Sequence, residues 1–85
     1  MRRQHEKALA KIVDKIVDLL IAKELDLQAD IDLWRAAPET MEKLARVQDL
    51  SSRRYQVKVL KREVRKILIE SNNLLVATLV EKINN

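Results

Sequence analysis

Ala36-Ala37-Pro38-Glu39-Thr40 carries the one proline of an 85-residue chain that contains no glycine, and its reading decides where helices end. Proline disfavours helical geometry in the residue before it and suits the first turn of a new helix, so Ala37-Pro38 is the clearest boundary in the sequence. Upstream, Asp26 reads as the N-cap of a short helix in which Leu27, Ile31 and Trp34 share one face at spacings of four and three. Downstream, a third helix is expected from Pro38, carried by Met41, Leu44, Ala45 and Val47.

Further out on the N-terminal side, Ala8 to Leu25 places Leu9, Ile12, Val13, Ile16, Val17, Leu20 and Ile21 at three- and four-residue steps. This predicts a buried helical stripe of about five turns. On the C-terminal side, Asp49-Leu50-Ser51-Ser52 offers three capping side chains and predicts a turn. Val57, Leu60, Val64, Ile67 and Leu68 then resume the helical period, and Ser71-Asn72-Asn73 forms a second cap cluster ahead of Leu74, Leu75, Leu79, Val80 and Ile83. Ser71 also fits the stripe, so residues 52–84 read either as one helix or as two.

The missing residue types exclude whole classes of function. Without glycine there is no cheap left-handed backbone position, so phosphate-cradling loops, two-residue hairpins and glycine C-caps are all absent. Without cysteine there is no disulfide framework and no thiolate metal or redox site. The longest apolar run, Leu19 to Ala22, falls far short of the roughly 20 residues of a membrane span, and charged residues follow Met1-Arg2-Arg3 where a signal peptide would be apolar. The expectation is a soluble, cytoplasm-compatible chain forming a single domain over residues 1–85.

The residues with most chemical potential lie between Arg53 and Lys66. Arg54, Lys58, Lys61, Arg62 and Arg65 fall within about a third of a helix circumference, and such a stripe can neutralise phosphates. The bland account is charge balance within the fold: residues 51–70 carry +5 and residues 16–32 carry −4, so the two segments can face each other. Interleaved aromatics are missing, with Tyr55 the only candidate near the run. His5 stands alone, and Asp26, Asp30 and Asp32 lack the turn glycine and terminal glutamate of a calcium loop, so no metal or cofactor is expected. Ser51, Ser52 and Ser71 sit at inferred caps with no histidine placed to activate them. Trp34 and Tyr55 read as core or boundary aromatics.

Leu20-Ile21-Ala22-Lys23-Glu24 and Ile67-Leu68-Ile69-Glu70-Ser71-Asn72 resemble pieces of the first and last helices of the small all-helical chorismate mutases, over about a quarter of the chain. The resemblance implies a dicarboxylate clamped by cationic side chains. The family's Asp-Pro-x-Arg-like motif, however, is matched here by Ala37-Pro38-Glu39-Thr40, without the acid or the arginine, and the first-helix arginine position holds Lys23 or Glu24. The composition as a whole resembles that of computationally designed helical proteins, de novo or assembled from natural helices. The resulting expectation is an all-α, compact, mostly antiparallel bundle of four to five helices with short glycine-free turns. It would be a structural scaffold with no evolved activity, no catalytic residues and no required partner. A self-associating protein–protein interaction module is the alternative, ahead of nonspecific nucleic-acid binding through the basic stripe.

Overall fold

The computed structural model describes residues 2–84, with side chains from Gln4 onward. It is all-α, with no strand among the described residues. Two long helices dominate: α1, Arg2–Arg35, and α2, Met41–Glu70. Two single-turn helices, α3 at Leu74–Ala77 and α4 at Val80–Ile83, complete the chain. Contacts of residue 35 with 43, 24 with 61 and 6 with 73 show that α1 and α2 run antiparallel as one hairpin. The C-terminal segment then turns back along the open end.

The expected compactness gives way to this extended hairpin, two long helices with two single turns beside them. Its dimensions are 58 × 17 × 16 Å and its Cα radius of gyration is 16.8 Å, against about 12 Å for a compact chain of this length. Two expected boundaries are missing. Asp26 and the 49–52 stretch lie inside continuous helices, because a capping side chain ends a helix only where the backbone also leaves helical geometry, and neither site has a proline or glycine to make it do so. Asp49 instead pairs with Arg53 one turn on, at 3.2 Å. The third boundary holds at Ala37-Pro38, but α2 starts at Met41 and not at Pro38: Thr40 is its N-cap, accepting from the Lys43 amide at 3.1 Å.

The glycine-free end of α1 is solved by a lysine. No described residue has positive φ, so the helix cannot close with a left-handed C-cap. Lys43, buried against the turn, donates from its ammonium to the Arg35 carbonyl at 2.8 Å, the Ala37 carbonyl at 2.9 Å and Glu39 Oε1 at 2.8 Å. All three ammonium donors are used, two of them on carbonyls that the end of α1 leaves without helical partners. Nearby, the Arg46 guanidinium lies 5.9 Å from the ring centroid of half-buried Trp34, within cation–π range.

At the open end, Val17, Leu68, Val76 and Ile83 form the buried core, with Ala10, Val13, Ile21, Val64, Leu79 and Val80 packed around them. The cap cluster is real and separates α2 from the two short helices α3 and α4. Ser71 ends α2, and Asn73 Oδ1 accepts from the amides of Leu75 and Val76 to start α3. Asn73 Nδ2 also donates to the Glu6 carbonyl at 3.2 Å, tying the new turn to α1. Lys82 then bridges Asp14 at 2.7 Å and Asp18 at 2.5 Å.

Those two hydrogen-bonded carboxylates raise the Lys82 pKa above the ordinary lysine value, opposed by partial desolvation. A lysine whose folded pKa is raised stabilises fully below its unfolded value near 10.4, and that contribution disappears as pH climbs through the folded pKa. Docking of the C-terminal segment is therefore expected to hold steady through neutral pH and to loosen in strong alkali. The methyl NMR shifts of Val76 and Ile83 should follow that loosening. The effect is small, since the pair is well exposed, and Lys82→Met should remove the alkaline dependence.

Candidate functional site

The predicted stripe of seven apolar residues on α1 is about half a circumference wide, more than one neighbouring helix covers. Val17 is buried and Val13, Leu20 and Ile21 are half-buried, whereas Leu9, Ile12 and Ile16 stay exposed together with Leu19. This corrects the expectation of a wholly buried stripe. On α2 the same division occurs: Val57 and Leu68 are buried, Leu60 and Ile67 exposed. The hairpin interface on α2 is thus rotated off the centre of its apolar stripe.

That rotation changes the setting of the basic residues. Arg54 and Lys61 are turned inward. Lys61 pairs with Glu24 at 2.9 Å with both side chains largely enclosed, and Arg54 is half-buried with its Nε enclosed and without a hydrogen-bond partner. Lys58, Lys61, Arg62 and Arg65 line a cleft of about 340 Å³ with Glu24, Ile83 and Asn84, where the C-terminal segment meets α2. Arg54 is not part of that cleft. Lys58, Arg62 and Arg65 make no ion pair among the described residues.

The remaining candidates are dispersed. His5 is exposed near the start of α1. Asp26, Asp30 and Asp32 are exposed on α1, and Asp32 accepts from Gln28 at 2.8 Å; no group of three metal-ligating side chains comes together among the described residues. Ser51 and Ser52 are mid-helix, while Ser71 Oγ accepts from the Asn73 amide at 3.0 Å. Lys23, at the first-helix cation position that the chorismate-mutase resemblance implies, is exposed, as is Arg35 about 18 Å further along α1. Tyr55 is exposed. No helix among the described residues is long and apolar enough to cross a membrane.

Sequence reasoning missed Lys43 entirely. The available signal was a lysine three residues after a threonine cap and close behind the only proline, in a chain with no glycine for a C-cap.

No family model matches this chain, no curated protein matches it and no solved structure matches it. The protein class rests on the geometry alone: an α-helical hairpin with a partial third layer at its open end.

Proposed function

We propose that this chain is a self-associating helical interaction module. The observation that carries the reading is the balance of apolar side chains among the described residues, fourteen large ones exposed against seven apolar ones buried. Single exposed apolar residues are ordinary, but contiguous patches of them mark contact surfaces. Helical spacing within the exposed set, Leu9, Ile12, Ile16 and Leu19 on α1, suits another helix better than a small molecule. The reading is of binding and not catalysis, with no cofactor.

Sedimentation of the full chain over a range of concentrations tests it. Mass and melting temperature should both rise with concentration, because assembly stabilises the folded state by mass action. The scaffold alternative, a protein made only to specify its fold, predicts a monomer at every concentration with a melt above about 90 °C.

The clustering of Lys58, Arg62 and Arg65 around one cleft favours a second reading, nonspecific binding of nucleic acid. Its expected result is weak, salt-sensitive retention of a labelled oligonucleotide, lost in Lys58→Glu/Arg62→Glu. Equal affinity in that double variant rejects it.

A further inference from the structure

Leu9, Ile12, Ile16 and Leu19 recur at steps of three, four and three, the spacing of a heptad seam, and all are exposed. At 100° per residue their stripe lies roughly 85° to one side of the line along which α1 meets α2 through Val17, Glu24, Leu27 and Ile31. Asp14 and Asp18, which hold the C-terminal segment through Lys82, lie on the other side of that line. On α2, Leu60 and Ile67 are likewise turned away from Arg62 and Arg65, which border Ile83 and Asn84. Both stripes therefore open onto one face of the hairpin, opposite the C-terminal segment. Six aliphatic side chains of this face are between 45% and 69% exposed.

We infer that this face pairs with the same face of a second copy, in a four-helix dimer whose two-fold axis runs parallel to the helices. The inference rests on the self-association reading and adds its geometry. The charges along the face choose the arrangement. Lys15 lies on the outer border of the α1 stripe, Lys23 continues that stripe one heptad beyond Ile16, Glu63 and Glu70 lie on the α2 side, and all four are exposed. The Glu24–Lys61 pair sets residue n of α1 level with about residue 85 − n of α2. Lys15 is therefore level with Glu70, and Lys23 is within about one residue of Glu63. A two-fold axis along the helices preserves these heights and lays each α1 over the other copy's α2. Lys15 then meets Glu70 and Lys23 meets Glu63 across the interface, twice each. Glu63 gives up only an exposed one-turn contact with Lys66 at 3.5 Å.

The other face-to-face symmetry, with the axis across the helices, lays α1 on α1 and sets lysine against lysine and glutamate against glutamate. That arrangement is disfavoured at all four of these charges. Covering the face on both copies removes on the order of 1,000 Å² of apolar surface, and the lysine stems bring the total into the range of specific dimers.

Charge exchange tests the arrangement on the full chain. Sedimentation equilibrium should give a dimer for the parent, with its Kd weakened at least about 30-fold in Lys15→Glu/Lys23→Glu and again in Glu63→Lys/Glu70→Lys. The variant with all four changes should recover dimerisation to within about 3-fold of the parent. That recovery separates lost pairing from lost folding, and circular dichroism of each double variant checks the helix directly. Because the chain has no cysteine, Lys15→Cys/Glu70→Cys adds a covalent readout: disulfide-linked dimers on oxidation, since within one copy the two positions sit on opposite outer edges. A dimer indifferent to charge exchange and not cross-linked by the cysteine pair overturns this geometry while leaving self-association standing. A chain that stays monomeric up to about 0.5 mM overturns both and leaves the face to a foreign helix.

Discussion

Leu68→Ala is expected to destabilise the protein by about 3 to 5 kcal/mol, the upper range for a buried leucine. Leu68 is 1% exposed and sits where α1, α2 and the C-terminal segment meet, in contact with the cluster of Val17, Val76 and Ile83. The lost transfer energy is joined by a cavity that the surroundings fill poorly, because three separately anchored elements would have to move together. A domain of 85 residues has a total stability of roughly 4 to 13 kcal/mol, so the substitution takes away a large fraction of it. Urea unfolding at one fixed protein concentration should show a lower midpoint with an unchanged slope. Leu68→Met, which nearly conserves volume, should cost less than about 1.5 kcal/mol. Equal losses for the two substitutions would mean that Leu68 is not packed as described.

Lys43→Met should have the next largest effect, about 2 to 3 kcal/mol. Methionine keeps an apolar stem of similar length but removes the ammonium, leaving the Arg35 and Ala37 carbonyls without their donor at a largely enclosed site. A hydrogen bond to a charged group contributes about 1.5 to 3 kcal/mol, and an unsatisfied buried acceptor adds its own desolvation cost. The third contact contributes little, because Glu39 is well exposed. Glu39→Gln should therefore change stability by less than about 0.5 kcal/mol. A comparison of the two variants by chemical unfolding tells the carbonyl cap from a simple ion pair: comparable losses would contradict the capping role.

The parts of this fold that could be read from the sequence are those with a backbone cause. Pro38 ends α1 whatever surrounds it. The 71–73 cluster ends α2 because Asn73 both caps α3 and anchors to α1. Asp26 and the 49–52 stretch misled because aspartate and serine are tolerated on an exposed helix surface as readily as at its start. Stripe positions announced helices correctly but not their orientation. Val57, Leu60, Val64 and Ile67 are equivalent in pattern, and only the choice of interface turns Val57 in and Leu60 out. The basic residues followed that rotation, so Arg54 and Lys61 face inward although they share an arc with Arg62 and Arg65 on a helical wheel. The burial of Lys43 depended on the shape of the turn it fills and could not be read from periodicity.

The hairpin topology also dictates an order of assembly. Its tertiary contacts span 8 residues at the turn, 37 at Glu24–Lys61 and 67 or 68 at the open end. Closing the longest loop first would meet the largest entropic cost, whereas each contact made outward from the turn leaves only a short further segment to close. The chain is therefore expected to zip from residues 35–43 toward its ends, and the single tryptophan, Trp34, sits where zipping would begin. The C-terminal segment comes last. During synthesis its partners Asp14 and Asp18 have waited through more than sixty residues of elongation, with the aliphatic face of α1 uncovered throughout.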